Sequence, residues 1–501
     1  MSAKAVMVLG TTSHAGKSWL ATALCRWYAR QGLKVAPFKA QNMSNNARVV
    51  PGLDGRQGEI GSAQYFQALA ARRVPEVRMN PVLLKPERDT ASQVVVLGEV
   101  NAAYTTMAWR ERSELLWPHA RAALRELMSE NDVVVIEGAG SPAEINLHAS
   151  DYVNMRTALE ARAACLLVTD IDRGGAFAHL YGTHQLLPAN ERALLRGFVL
   201  NKFRGDASLL APGPAQLEAL TGVPTVAVLP MWRDHGLPEE DGVHDETPTG
   251  SGLRITVVAY PRISNLDEFQ PLRNLPGVHL SWARDAAAIE AADWIVLPGS
   301  KHTSSDLAWL RANRLDAAIA RHAAAGKPVL GLCGGLQMLG EALIDLAGVE
   351  ASPDPRDFGA NGPGLGLLPL VTQFESAKLL RPSRVEFGAL QGPWRALSHI
   401  KWSGYEIHHG RTVQHAGLPA AAQALTSDSG EVIGWSQGSV LGIYAHGLFE
   451  SPEVMRALFG VEVRSLDSVF DGLADFIDHH FEPGALLGLL DTPRHNSKNK
   501  D

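Results

Sequence analysis

The feature that most constrains this chain is the way its short apolar runs end. Val6–Leu9 leads into Gly10-Thr-Thr-Ser-His-Ala-Gly16-Lys17-Ser18, Val133–Ile136 into Glu137-Gly-Ala-Gly140, and Leu166–Thr169 into Asp170-Ile-Asp172-Arg-Gly-Gly175. Val329–Leu332 leads into Cys333-Gly-Gly335. Short aliphatic runs closed by glycine and polar residues read as buried strands, and amphipathic stretches such as Trp19–Arg30, Arg112–Leu127 and Asp151–Arg162 lie between many of them. Strands alternating with helices build a mostly parallel sheet covered on both faces, with its ligand crevice at the carboxyl ends of the strands. Val35–Phe38, Val94–Leu97, Gly197–Leu200 and Thr225–Leu229 extend the series. The expected fold class is α/β, with a parallel-sheet N-terminal domain followed by a second α/β domain.

The break between the two falls in residues 234–252, a polar, acidic stretch containing glycine and proline. This predicts one domain over 1–233, a linker over 234–252 and a second domain over 253–450, which starts at Arg254–Tyr260 and turns to shorter β-like segments after about residue 380. A helical segment and a frayed tail follow over 451–501. A chain of 501 residues has ample core for such a pair. A net charge of −7 without a basic block argues against nucleic-acid binding. Three widely spaced cysteines fit a reducing compartment better than a disulfide framework or structural zinc. No apolar stretch is long enough to span a membrane, and no cleavable leader precedes the first strand. A soluble cytoplasmic protein is the expectation, and nothing in the chain indicates its oligomeric state.

Gly10 to Ser18 lies between a strand and a helix, where backbone N–H groups can wrap a phosphate. Thr11 and Gly16 belong to that wrap, Lys17 can reach the terminal phosphates, and Ser18 can ligate Mg²⁺. Five residues separate Gly10 from Gly16, one more than in the usual P-loop. Glu137 can place a carboxylate beside the metal, unless it only closes a turn. Asp170 and Asp172 are candidates for metal or substrate and equally for a helix cap. Asn201, ending a further strand, can read adenine. In Lys39-Ala-Gln-Asn42-Met-Ser-Asn-Asn46, amides and one lysine are suited to orienting an acid-bearing substrate. Lys85 is a similar candidate, and either lysine can instead be an ordinary surface charge.

In the second domain, Gly331, Gly334 and Gly335 surround Cys333 at a strand-to-helix turn. The G-x-C-x-G spacing is the thiol version of a nucleophile elbow: the backbone folds sharply, and the fresh helix N-terminus favours a thiolate and an oxyanion. His446, after a late apolar strand, is the candidate general base. Gly299 and Ser300 close another strand and can complete the oxyanion hole with Gly334. Gln337 can touch the substrate's amino-acid end, and Glu406 and His408 can line the pocket or serve core packing.

Gly331-Leu-Cys333-Gly-Gly-Leu-Gln337 with the late His446 resembles the triad class of glutamine amidotransferases. The long P-loop with Glu137-Gly-Ala-Gly140 resembles dethiobiotin-synthetase-like ATP-dependent ligases. Fused in this order, the two resemble the corrinoid amidases. Lys39–Asn46, Asn80-Pro-Val-Leu-Leu-Lys85-Pro and Gly404-Tyr-Glu-Ile-His408 are similar to the group acting on adenosylcobyrinic acid a,c-diamide. The resemblance implies ATP with Mg²⁺, glutamine as nitrogen donor, and amidation of the b, d, e and g carboxylates of that corrinoid. Cys333 and His446 are then the glutaminase pair. Two departures qualify the resemblance. Triad enzymes often carry Glu two residues after the histidine, where this chain has Leu448, which leaves the third member open. Dethiobiotin-type loops usually carry Asp where Thr12 or Ser13 stands, which counts against metal ligation from within the loop.

Alternatives are a ligase of the same construction, such as cobyrinic acid a,c-diamide synthase or one acting on a cell-wall precursor, against which Lys39–Asn46 argues. A partition-type ATPase has no use for the elbow, and a plain thiol hydrolase has none for the ATP domain.

Overall fold

The computed structural model describes residues 3–88, 91–238, 252–350, 361–462 and 464–491. Six strands of the first half form one parallel sheet in the spatial order Thr225–Pro230, Leu195–Phe203, Ala164–Asp170, Lys4–Gly10, Val133–Glu137, Val35–Phe38. After Lys4 every residue of the Lys4–Gly10 strand is buried, without the alternation of a one-sided sheet, because helices cover both faces. Core clusters lie on either side: one contains Leu116, Leu124 and Phe198, the other Leu24, Tyr28 and Phe66. Strand order reverses around Lys4–Gly10, so the crevice at its carboxyl end is where an open sheet of this kind receives a ligand.

The Val94–Leu97 run does not extend that sheet. It belongs to Ala91–Val96, which pairs antiparallel with Val82–Arg88 in a separate sheet with Asn42–Met43 and Glu99–Val100. Strands this close in sequence pair as a hairpin, since a parallel partner needs a long crossover. The amphipathic Asp151–Arg162 stretch forms a wide turn over Tyr152–Arg156 and a short helix over Thr157–Ala161, which Arg162 ends in the left-handed region.

The second half is built on an eleven-stranded mixed sheet. Val278–Ala283, Leu253–Val258, Trp294–Leu297, Val329–Leu332 and Val440–Ile443 are parallel neighbours in that order. Val432–Gln437, Ala422–Ser427, Leu370–Phe387 and Lys401–Gln414 continue the sheet antiparallel. Leu332 pairs with Ile443, so the residues after both strands, Cys333 and Tyr444–His446, emerge at the same sheet edge.

The segment after 451 divides between the two halves. Val454 and Met455 of the Pro452–Phe459 helix join the second core. The Leu466–His480 helix returns to Lys17–Arg30, burying Val469, Phe470, Leu473 and Ile477 against it. Arg26 pairs there with Asp467 and Asp471, both at 2.8 Å. Of the expected linker at 234–252, residues 239–251 lie outside the described residues, as does the tail at 495–501, whereas His235 and Leu237 are buried. Among the described residues, no helix is long and apolar enough to cross a membrane.

Candidate functional site

Two centres stand at the carboxyl ends of the two sheets. At the first, Cys333 has φ 49° and ψ −105°, a conformation that side-chain-bearing residues rarely adopt. Its N–H donates to the Ile443 carbonyl at 2.8 Å, which ties the strained residue to the neighbouring strand. The glycines behind it are required by close approach: a Cβ on Gly334 would lie 2.8 Å from the Ser300 nitrogen, and one on Gly335 would lie 1.9 Å from the Leu297 carbonyl oxygen. The Ser300 and Gly334 backbones therefore abut beside Cys333. Gly299 faces His446, where a Cβ would meet Cε1 at 3.1 Å. The thiol itself is buried, with Sγ 3.8 Å from the Ile407 carbonyl.

His446 is buried, and its Nδ1 is 3.2 Å from Glu268 Oε1; Glu268 Oε2 accepts the Gly447 N–H at 3.1 Å. Tyr405 stacks on the imidazole at 5.2 Å between ring centroids and exchanges backbone hydrogen bonds with His446. Burial disfavours the imidazolium, but the Glu268 carboxylate and the neighbouring Cys333 outweigh it and raise His446 to about 10. Among the described residues the buried Nε2 has no hydrogen bond of ordinary geometry, although Cys333 lies close enough to act on the ring's titration.

Glu268, in the short helical turn Leu266–Phe269, was not a sequence candidate. It occupies the role that Leu448 cannot fill, from 178 residues upstream. The only sequence signal for it was an acidic pair, Asp267-Glu268, inside an otherwise apolar turn after the Leu253–Val258 strand.

The remaining thiol-domain candidates are held by neighbours. Gln337 Oε1 accepts from Thr303 Oγ1 at 2.9 Å, and its Nε2 reaches the Tyr444 hydroxyl at 3.4 Å. Glu406 and His408 lie on the opposite side of the Lys401–Gln414 strand from Ile407, by the alternation of a strand. Burial would raise the Glu406 carboxyl, but hydrogen bonds from His408, Arg381 and Ser383 hold it down at about 2. His408 stacks on Tyr444 at 3.9 Å.

The second centre is a cavity of about 1070 Å³ at the end of the first sheet. Gly16, Lys17, Ser18, Lys39, Asn42, Glu137 and Asn201 line it. Gly10 leaves the space Lys17 occupies, since a Cβ there would meet Lys17 Nζ at 2.9 Å. Lys17 Nζ donates to the carbonyls of Thr12 and Gly140 at 3.0 and 3.1 Å. Thr11 turns away, its hydroxyl bonded to Thr169 within the sheet. Asn201 Nδ2 donates to the Ala15 carbonyl at 2.9 Å, and its Oδ1 accepts from the Lys202 N–H, so its amide supports the loop.

Glu137 is the charge hub. Its Oε1 accepts from Ser18 Oγ and Lys39 Nζ, both at 2.8 Å, and its Oε2 accepts from Gln67 at 2.6 Å. Burial works against the carboxylate, and Lys39 overcomes it, so its pKa falls. Ser18 and Glu137 are adjacent hard oxygen donors on the cavity wall, a donor set that fits Mg²⁺. Asp170 and Asp172 also line the cavity and pair with Lys202 and Arg204.

Lys85 is not brought to this cavity. It is buried beside Glu59 at 2.8 Å, and Lys378 from the second domain also bonds Glu59, at 2.5 Å. The antiparallel pairing of Val82–Arg88 carries Lys85 towards the domain interface. Burial opposes the Glu59 carboxylate, but the two lysines hold it at about 2. Burial lowers Lys378 to about 7 against the pull of Glu59.

Comparison with known proteins covers both centres. Residues 6–243 match the CobQ/CobB/MinD/ParA nucleotide binding domain, and residues 254–454 match the CobB/CobQ-like glutamine amidotransferase domain. The chain is 75% identical to a cobyric acid synthase of Methylibium petroleiphilum over 97% of both chains. It is 74% identical to that of Leptothrix cholodnii over 97% of both, and 66% identical to that of Variovorax paradoxus over 98% of this chain and 100% of the other. Identity of this order along both domains together leaves one assignment: the chain belongs to the cobyric acid synthase family, a nucleotide-binding domain fused to a glutamine amidotransferase domain.

Proposed function

We propose that this protein converts the b, d, e and g carboxylates of adenosylcobyrinic acid a,c-diamide to amides, giving adenosylcobyric acid, with glutamine as nitrogen donor and ATP as the source of activation. The observation that carries the reading is the presence in one chain of a strained thiol beside the His446–Glu268 pair and a phosphate-type loop facing a cavity of about 1070 Å³.

Cys333 Sγ attacks the glutamine side-chain carbonyl, and the backbone N–H groups of Gly334 and Ser300, whose backbones abut, would receive the oxyanion. His446, kept as an imidazolium by Glu268 after taking the proton of the Cys333 thiol, gives that proton to the departing ammonia. Water then cleaves the glutamyl thioester and releases glutamate. In the other domain a carboxylate oxygen of the corrinoid takes the γ-phosphoryl group of ATP, leaving ADP. Ammonia attacks the acyl carbon, and phosphate departs. Activation is needed because a carboxylate is a poor electrophile without a leaving group. Lys17 stabilises charge during phosphoryl transfer, and Lys39, on the cavity wall, would orient the acid. Ser18 and Glu137 are the residues that would hold Mg²⁺, which supplies charge neutralisation at the phosphates when bound. To hold it, Glu137 would give up part of its bonding to Lys39.

Mass spectrometry of the a,c-diamide incubated with glutamine and ATP tests the reading. Each amidation replaces OH by NH₂, so successive losses of about one mass unit, four in all, are expected. An unchanged spectrum with protein that hydrolyses glutamine overturns the substrate assignment.

A further inference from the structure

Arg48 belongs to the nucleotide-binding domain, yet its guanidinium is fully buried against the glutaminase domain. Nε donates to Asp267 Oδ2 at 3.0 Å, and Nη2 contacts the same oxygen. Nη1 and Nη2 form a fork onto Glu450 at 3.0 and 2.6 Å. The carbon of the guanidinium also lies 5.1 Å from the Tyr405 ring centroid, and Tyr405 stacks on His446. Asp267 precedes Glu268, the partner of His446 Nδ1, and Glu450 lies four residues after His446. One cation from the other domain thus grips both segments that carry the pair and the ring that packs on it.

The neighbours of Arg48 strengthen the grip. Asn46 Oδ1 accepts from the Leu266 N–H at 2.8 Å; Asn265 Nδ2 donates to the Ala47 carbonyl at 3.0 Å and to the Tyr405 hydroxyl at 2.7 Å. The Ala47–Pro51 strand begins four residues after Met43, and Asn42 and Met43 line the N-terminal cavity. A planar fork that meets two carboxylates at once fixes geometry in a way a point charge does not.

We propose that Arg48 is a positioning residue of the glutaminase, supplied in trans by the synthetase domain, which holds Glu268 and His446 in register with Cys333 and ties glutamine hydrolysis to the occupancy of the N-terminal cavity. The inference rests on the glutaminase reading given above. It accounts for a fully buried cation that takes no part in the chemistry of either centre.

The test uses the full-length protein and two variants, Arg48→Lys, which keeps the charge but loses the fork, and Glu450→Gln, which removes one arm at a half-buried site. Glutamate release is measured with and without ATP and the a,c-diamide, and amidation is measured with glutamine or with ammonium chloride. Arg48→Lys is expected to lower glutamine-dependent kcat/KM by roughly 10- to 100-fold, mainly in kcat, with Glu450→Gln following in the same direction. Ammonia-dependent amidation stays within about twofold of the parent in both. Stimulation of glutamate release by ATP and the a,c-diamide weakens, and the alkaline limb of glutaminase activity moves to lower pH as Glu268 loosens from His446.

Unchanged glutamine use in both variants overturns the inference. So does a parallel loss with glutamine and ammonia, which marks Arg48 as an ordinary interface residue. Failure of the parent protein to release glutamate overturns the glutaminase reading, and the inference with it.

Discussion

Around Cys333 the groups are already held by their neighbours: Glu268 is bonded to His446, the Cys333 N–H to the adjacent strand, and the Ser300 backbone packs against Gly334. Around Lys17 the charged groups are held by carbonyls and by one another. Lys17 is bonded to loop carbonyls and Lys39 to Glu137, pairs that the ligands of the proposed reaction would have to displace. The first centre is closed and preorganised for one small amide, so it spends little on rearrangement when glutamine arrives. The second surrounds a large cavity and pairs its charges within the protein, so on the proposed reading its ligands would rearrange it. A fixed nucleophile and an exchangeable electrostatic lining suit an ammonia source and an acyl-activating site respectively.

Substitutions that act on one centre and spare the other break this comparison or sharpen it. Cys333→Ala is expected to abolish glutamine-dependent amidation, by on the order of 10⁴-fold or more, while leaving ammonia-dependent amidation intact. Assaying both nitrogen sources on one preparation checks it, and loss of both would mean that the centres are not separable.

Glu268→Gln keeps the shape and removes the charge, and a fall of about 10³-fold in glutaminase kcat is expected. The pH dependence carries the sign. With His446 raised to about 10, the imidazolium persists across neutral pH and is lost as pH rises through about 10. Without the carboxylate, that loss occurs at lower pH, so the alkaline limb of glutaminase activity shifts down. The same raised value means that the pair stabilises the fold fully below the unfolded histidine's pKa and loses that contribution as pH climbs to about 10. Thermal unfolding of parent and variant should therefore converge at alkaline pH.

Lys17→Ala is expected to lower amidation about 10²-fold with either glutamine or ammonia, leaving unstimulated glutamate release unaffected. Glu59→Gln touches neither centre. It strands Lys85 and Lys378 in a buried interface, and a loss of roughly 3 kcal/mol of stability is expected from denaturant unfolding, with little change in unstimulated glutaminase rate.

What could be read beforehand follows the distance along the chain over which each feature is built. The elbow was legible because strand, cysteine, glycines and helix are contiguous, and the same holds for Gly10–Ser18. Glu268 was not, because its partner lies 178 residues away and neither residue's neighbours announce the other. Val94–Leu97 was recognisable as β structure, yet membership of a sheet is a long-range property, and the hairpin with Val82–Arg88 decided it. Lys85 looked like a substrate-orienting lysine or an ordinary surface charge from its local context. Its pairing with Glu59 and with Lys378 of the other domain carries it elsewhere. The Leu466–His480 helix reads as helical from its pattern, and only docking reveals that it covers the first domain.

By itself, then, the sequence determined the local devices: the strained thiol turn, the phosphate-type loop, the two α/β series and the order in which they occur. These depend on residues within a few positions of one another, where glycine sterics, helix dipoles and apolar periodicity act. The tertiary structure alone decided which carboxylate orients His446, which lysines face the cavity, and that Arg48 reaches from one domain to brace the other. Those are pairings of buried charges, and burial forces each to find a partner wherever the fold brings one near.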